Sequence, residues 1–275
     1  MPIQDIDIVA FDLDGTLLND EKKASPFDLQ TLEQLERLKI LRVVATGRNY
    51  YSLLKVLPFD FPADYVVFSS GAGIMDWKSK QILYTRMLEK SELKLAVDIL
   101  IQYQLNFSVH LAIPNNHHIL LHAPHPKADD LVNYTNFYKD FVTPFNPNKI
   151  PKQATQLIVL LNHHVNLFDE LQTKMDFAKT ILTTSPINHQ SMWMEIFHRS
   201  VSKANGLVWL CHHLKMEHPV TMGIGNDFND IDLLNHADIS FVVSNAPKEL
   251  KEKHPSVKSN NESGFTDAVT SIIKF

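Results

Sequence analysis

Apolar and polar positions along this chain follow two alternating rhythms. Ile6, Ile8, Val9, Ala10 and Phe11 form an apolar, β-branched run that reads as a buried strand, and Gly15 marks where the backbone turns out of it. Beyond Ser25-Pro26, Leu29, Leu32, Leu35 and Leu38 recur at helical spacing, and Leu41-Arg42-Val43-Val44-Ala45 returns to a strand pattern. Strand, helix and strand in that order imply a parallel crossover. Thr46-Gly47-Arg48 closes the second strand, a helical pattern covers 50–57, and Tyr65-Val66-Val67-Phe68 reads as a third strand. The pattern predicts an α/β fold with a Rossmann-like parallel sheet, in which ligands bind beyond the carboxyl ends of the strands.

The middle of the chain has a different texture. Helical patterns over 89–102, 127–137 and 165–178 alternate with short strand patterns over 106–110, 117–122 and 156–161, and no acidic or glycine-rich motif punctuates them. This stretch reads as an inserted α+β module over 84–189, interrupting a core made of 1–83 and 190–275. From Met194 the α/β rhythm returns. A helix carrying Leu207, Leu210 and Leu214 follows Ser202-Lys203, a strand is expected over 219–224, another over 239–243, and a terminal helix over 266–273.

Composition adds exclusions. The 275 residues suit two domains or one large α/β unit, and 44% hydrophobic and 21% charged content is that of an ordinary soluble globular protein. Apolar runs fall short of the roughly 18 residues a membrane span needs, and the N-terminus lacks a basic region followed by an apolar core, so no membrane partner and a cytoplasmic address are expected. A net charge of −5 without a basic block gives no support for a nucleic-acid partner. The single cysteine, Cys211, forms no internal disulfide. Fourteen histidines include the pairs His117-His118, His163-His164 and His212-His213, but none has the helical spacing of a zinc hydrolase, so no ligand role is assigned to them. A monomer or small homo-oligomer is expected.

The chemistry concentrates at strand ends. Asp12 and Asp14 stand two apart after the first strand, so on a continuing strand both carboxylates would share one face and repel unless a cation intervenes. A calcium loop of the EF-hand kind fits poorly, because its sixth position would be Leu17 rather than glycine. A second acidic cluster, Asp227 and Asp230, follows the strand expected over 219–224. If the two strands are neighbours, their ends close a magnesium site. Thr46, Gly47, Lys203 and Asn229 are the candidate donors to a phosphate there.

Four segments, in this order, resemble the haloacid dehalogenase superfamily of phosphohydrolases: Phe11-Asp12-Leu13-Asp14-Gly15-Thr16, Ala45-Thr46-Gly47-Arg48, Ser200-Val201-Ser202-Lys203 and Gly225-Asn226-Asp227-Phe228-Asn229-Asp230. The insertion between the second and third is similar to the large α/β cap of the Cof-type branch, which carries specificity. The resemblance implies a magnesium-dependent phosphohydrolase acting on a small, sugar-phosphate-like metabolite through an aspartyl phosphate, with a phosphomutase or a catalytically impaired regulatory relative as the alternatives. It implies Asp12 as nucleophile and Asp14 as general acid and base. Leu13, Thr46, Gly47, Arg48, Lys203 and Asn229 would bind the phosphoryl group or substrate. Asp12, Asp14, Asn226, Asp227 and Asp230 would form the magnesium site. The family's usual aspartate after the glycine is Asn226 here; either its carbonyl coordinates, or Asp227 replaces the missing charge, and Asp230 acts through water. Ser69-Ser70-Gly71-Ala72 stands where Asn-Gly-Ala is more usual, and Ala204 where glycine is common.

Overall fold

A computed structural model describes residues 6–126, 129–162, 166–185 and 191–275. The chain divides into two units. One runs to Arg48 and resumes over Leu53–Tyr84 and Ser202–Phe275, and the other holds Asn49–Ser52 and Thr85–Val201. Among the described residues no helix is long and apolar enough to cross a membrane.

The first unit is built on an eight-stranded sheet among the described residues, in the order Ser256–Val257, Ile239–Val243, Thr221–Gly225, Ile8–Phe11, Leu41–Ala45, Tyr65–Phe68, Gly73–Asp76 and Gln81–Thr85. Pairings from Ser256–Val257 through Tyr65–Phe68 are parallel, and Gly73–Asp76 returns antiparallel. This is the α/β core the hydrophobic pattern predicts. Its central strands read as unbroken apolar runs because both faces are covered. Ile8, Ala10, Val43, Ala45 and Val67 pack with Leu207, Leu210 and Leu233, while Phe11 packs on Phe265 with ring centroids 4.8 Å apart and the rings tilted by 59°.

The first helix, Pro26–Arg37, starts where expected. Ser25 accepts from Asp28 N–H at 3.1 Å and Pro26 occupies the first turn. Its leucines are not equally used: Leu32 and Leu35 are buried, whereas Leu38 is 49% exposed. The buried Asp28 joins this helix to Gly264–Ile272 through Thr266, accepting from its N–H at 3.0 Å and its hydroxyl at 2.7 Å. The helix expected over 50–57 is only Tyr50–Leu53, followed by a turn in which the N–H groups of Val56 and Leu57 donate to Leu53 O. The strands Gly73–Asp76 and Gln81–Thr85 carry no strong alternation and were not expected.

The second unit is α+β. Its main sheet, among the described residues, runs Ala178–Thr184, Met192–His198, Gln156–Asn162, Phe107–His110, Ile119–His122 and Val142–Pro144, antiparallel except for the last pair. Helix Lys90–Gln102, with a capping box between Glu89 and Glu92, packs Leu93, Val97 and Leu100 against Val109, Leu157, Val159 and Ile196. Two sequence expectations differ from this sheet. Residue 178 opens a strand instead of closing a helix, which ends at Lys174. Met194, taken as the return of the α/β rhythm, lies in a strand paired on both sides with Gln156–Asn162 and Ala178–Thr184; its apolar run satisfies this sheet equally well. The His163-His164 pair, His189 and the edges of the helices expected from 127 and 165 lie outside the described residues.

Candidate active site

The site is assembled by sheet adjacency. Ile8–Phe11 pairs in parallel with Thr221–Gly225 on one side, Phe11 opposite Ile224, and with Leu41–Ala45 on the other, Phe11 opposite Val44. Asp12, Thr46 and Asn226 therefore leave neighbouring strands at one carboxyl edge. Asp12 N–H still donates to Ile224 O at 3.0 Å, so this residue remains in the ladder.

Asp12 is 5% exposed. Its Oδ1 accepts from Lys203 Nζ at 2.6 Å, and the same ammonium donates to Asp230 Oδ1 at 2.6 Å. Among the described residues, Asp12 Oδ2 accepts no hydrogen bond. Burial pushes the Asp12 carboxyl up to about 7; the Lys203 charge opposes that shift, and the charges of Asp230 and Asp14 add to it. Burial would lower the Lys203 pKa, but Asp12 and Asp230 together outweigh it and raise the value, so the ammonium stays charged. Lys203 opens helix Lys203–His213, whose N-cap Ser202 accepts from Asn205 N–H at 3.0 Å.

Asp14 does not share a strand face with Asp12, because the strand ends at Phe11 and Gly15 turns the chain at φ 75°. Its carboxylate is held bidentately by Arg48, Nε to Oδ2 at 2.6 Å and Nη2 to Oδ1 at 2.7 Å, with Lys22 Nζ 3.2 Å from Oδ1. Burial would raise the Asp14 pKa, but the Arg48 hydrogen bond and charge, followed by Lys22, hold it below the ordinary carboxylate range. Two carboxylates that look equivalent in sequence thus sit in opposite electrostatic settings. The Lys22 contact was not anticipated; a cation in the turn following Gly15 was the available signal.

The acidic segment is divided in the same way. Asp230, expected among the metal ligands, is fully buried with both oxygens engaged: Oδ1 by Lys203, Oδ2 by the N–H groups of Asn226 at 2.8 Å and Asp227 at 3.1 Å. Gly225 is required beside it, since a Cβ there would lie 2.6 Å from the Asp230 Cβ. Asp227 caps the short turn Phe228–Asp230, accepting from Phe228 N–H at 2.8 Å. Asn226 Oδ1 accepts from the Thr16 hydroxyl at 3.0 Å. Asn245 donates to Gly15 O at 2.8 Å and fixes the loop between them, another residue that sequence reasoning missed.

Thr46 is buried, and its Oγ1 accepts from Arg48 N–H at 3.1 Å, which leaves the hydroxyl proton for an oxygen of a bound anion. Gly47 follows it, and a Cβ there would stand 3.4 Å from Asn229 Nδ2. Leu13 is buried, and its carbonyl accepts from Thr16 N–H at 3.2 Å and Leu18 N–H at 2.8 Å, shaping the loop that carries Asp14. A separate hollow of about 580 Å³, lined by Glu36, Arg42, Phe59, Asp60 and Trp77, lies at the amino end of the sheet, away from Asp12. Arg42 and Lys78 there are already paired with Asp64.

Among the described residues, no three His, Cys, Asp or Glu side chains converge closely enough to hold a cation by themselves. The oxygens at hand are Asp12 Oδ2, the Asn226 amide and backbone carbonyls, a hard, mixed donor set of the kind magnesium completes with water. On that chemistry the residues fit the ion.

Comparison with known proteins agrees with this geometry. The model of the family described as haloacid dehalogenase-like hydrolase matches residues 9–269. The 5-amino-6-(5-phospho-D-ribitylamino)uracil phosphatase YwtE of Bacillus subtilis is 26% identical, over 96% of this chain and 97% of its own length. The HMP-PP phosphatase of Yersinia pseudotuberculosis is 24% identical, over 91% and 88%. The solved structure of the haloalkanoate-superfamily phosphatase BT1666 from Bacteroides thetaiotaomicron shares the fold with a TM-score of 0.79 at 17% identity, covering 99% of this chain and 97% of that one. The subclass IIB sugar phosphatase BT4131 does so with a TM-score of 0.74 at 19% identity, covering 97% and 99%. With its family model spanning both units and its acidic strand ends meeting beside a buried lysine, this chain belongs to the haloacid dehalogenase-like hydrolases.

Proposed function

We propose that this phosphatase of the haloacid dehalogenase family is a magnesium-dependent hydrolase of small phosphorylated metabolites, working through an aspartyl phosphate on Asp12. The observation that carries the reading is the division of labour on Asp12: Lys203 clamps Oδ1, and Oδ2 is left without a hydrogen bond among the described residues. Lys203 fixes the orientation of this buried carboxylate, so that one of its oxygens would be directed for in-line attack on phosphorus while the other faces the cation. The Thr46 hydroxyl and the Asn229 amide would hold phosphoryl oxygens, and Lys203 would neutralise charge on Asp12 and on the transferred group. Asp12, Asn226 and the Asp14 backbone carbonyl would hold magnesium, with Asp227 and Asp230 shaping the loop behind them. When bound, the ion offsets repulsion between the anionic nucleophile and the phosphate.

Asp14 would give a proton to the leaving-group oxygen as Asp12 forms its bond to phosphorus. It would then take a proton from the water that attacks the aspartyl phosphate and releases phosphate. Its anionic state against Arg48 suits the second step. For the first, a phosphate dianion competing for Arg48 would loosen that pair and let Asp14 carry a proton. The names of the phosphoribitylaminouracil phosphatase YwtE, the Yersinia HMP-PP phosphatase and the sugar phosphatase BT4131 bracket the substrate class to be tested.

The experiment is a panel of sugar phosphates and phosphorylated heterocycles, assayed for phosphate release with and without magnesium, using the unsubstituted chain and Asp12→Asn. Asp12→Asn is expected to lower turnover at least about 1,000-fold with the fold intact. Activity close to that of the unsubstituted chain would remove Asp12 as the nucleophile.

A further inference from the structure

Ser70 sits in the short turn Ser69–Gly71 that follows the strand Tyr65–Phe68. Ser69, Ser70 and Gly71 all have positive φ, at 48°, 55° and 106°. Two successive non-glycine residues in the left-handed region are unfavourable unless the surroundings hold them there, and such segments concentrate at working sites. Here the surroundings are the site itself. Ser69 N–H donates to Arg48 O at 2.9 Å and Ser70 N–H to Thr46 O at 3.0 Å, so the turn is laced to the loop carrying Thr46 and Arg48. On its other side Gly71 lies against the backbone of Ser202, where any Cβ would collide, which ties the same turn to the residue before Lys203.

Among the described residues, the Ser70 hydroxyl has no partner. The residue is 1% exposed, and its Oγ makes no hydrogen bond. A buried hydroxyl left unsatisfied destabilises a fold, and glycine at this position would relieve both the backbone and the orphaned oxygen. The position of that hydroxyl explains its retention. It faces the gap created by the missing side chain of Gly47: a Cβ at Gly47 would stand 3.6 Å from Ser70 Oγ and 3.4 Å from Asn229 Nδ2. Two donors, one a hydroxyl and one an amide, therefore border the space that a side chain at Gly47 would occupy.

We propose that Ser70 is a substrate-contacting residue, its hydroxyl donating, together with the Asn229 amide, to a phosphoryl oxygen seated over Gly47. The assignment rests on the phosphohydrolase reading above and adds a donor to it. An oxyanion is the partner that suits it: both groups are donors, and Arg48 and Lys203 supply positive charge nearby. The hydroxyl costs stability in the free protein and is satisfied when the anion binds.

The test uses Ser70→Ala and Ser70→Gly in the full chain, with inorganic phosphate as the probe in magnesium-containing buffer. Thermal melting without ligand is expected to be unchanged or higher in both variants, because an unsatisfied group has been removed. Phosphate binding, by titration calorimetry, is expected to weaken about 10- to 100-fold, the loss of one hydrogen bond to a charged group. KM for whichever substrate the panel identifies should rise more than kcat falls. Ser70→Gly, which accepts the left-handed backbone freely, keeps the test valid if Ser70→Ala fails to fold. Unchanged phosphate affinity in the variants, or a lower melting temperature in the ligand-free Ser70→Gly protein, overturns the assignment. If the unsubstituted chain binds no phosphate at all, the phosphohydrolase reading falls with it; if it binds phosphate and the variants bind equally well, the Ser70 assignment alone falls.

Discussion

Each unit of this protein buries a polar cluster, and the two clusters are built on opposite principles. In the second unit Ser108, His110 and Tyr134 are all buried and neutral. His110 Nδ1 must donate to Asn116 O at 2.9 Å, so Nε2 accepts from the Tyr134 hydroxyl at 2.8 Å, which in turn accepts from Ser108 Oγ at 2.6 Å. Each proton has one place to go. In the first unit Asp12, Lys203 and Asp230 are equally buried, but all three are ionisable, the two acids outnumber the base, and Asp12 Oδ2 accepts nothing among the described residues. A closed network of neutral groups specifies a packing arrangement. An open network with surplus negative charge needs a cation or a reacting group to complete it, and that asymmetry separates a scaffold from a site.

The strongest way to break the comparison is Lys203→Met. Among the described residues, Lys203 is the single cation holding these two buried carboxylates, so its loss leaves an uncompensated pair and is expected to cost about 3–5 kcal/mol of unfolding free energy, measured by urea denaturation at neutral pH. Adding Asp230→Asn should recover part of that loss, because one of the repelling charges is gone. A cost below about 1 kcal/mol would mean that the carboxylates simply take up protons, and that the ion pair is not what organises the rim.

How much of this was legible beforehand depends on which residues had to be compared. The parallel core followed from local pattern, since apolar runs ending in Asp12, Thr46 and Gly225 are strand ends whatever surrounds them, whereas the four motif segments were legible through their resemblance to a known family. Roles inside the acidic segment were not legible. Asp227 and Asp230 are both acidic loop residues in sequence, and only the Lys203 ammonium 2.6 Å from Asp230 Oδ1 separates a clamp from a candidate ligand. The strand Met192–His198 was misplaced because its partners lie far away in the chain and its apolar run fits either sheet. Ser70 was noted only as a departure from a motif; its backbone and its unsatisfied hydroxyl are three-dimensional facts.

Acid titration sharpens the neutral side of the comparison. Burial lowers the His110 pKa to about 4, and its hydrogen bond to Asn116 O only partly offsets this. In the unfolded chain the imidazole titrates near its ordinary value of about 6.5. Between those values the unfolded state binds a proton that the folded state refuses. The stability conferred by keeping His110 neutral is therefore complete above about pH 6.5 and is lost progressively as the pH falls toward 4, by about 3 kcal/mol in all. Urea denaturation of the unsubstituted chain and His110→Gln at pH 7.5 and 4.5 checks this: the stability advantage of the unsubstituted chain should shrink by most of that amount. An advantage independent of pH would show that Nε2 can take up a proton beside the Tyr134 hydroxyl.

Tyr134→Phe carries the smallest expected effect and probes closure directly. The ring is retained, so its edge-to-face contact with Trp193 at 5.4 Å remains available and no cavity of consequence opens. Two buried groups lose their partner at once, His110 Nε2 as acceptor and Ser108 Oγ as donor. The expected cost is about 2 kcal/mol at pH 7.5, in the range for stranding buried polar atoms. In a closed relay the loss should not be additive: Ser108→Ala introduced into the Tyr134→Phe background removes an already orphaned hydroxyl and should cost nothing more, whereas in the unsubstituted chain it removes a made bond. Equal costs in the two backgrounds would mean that the three groups act independently, and that the contrast between a closed neutral network and an open charged one does not hold for this protein.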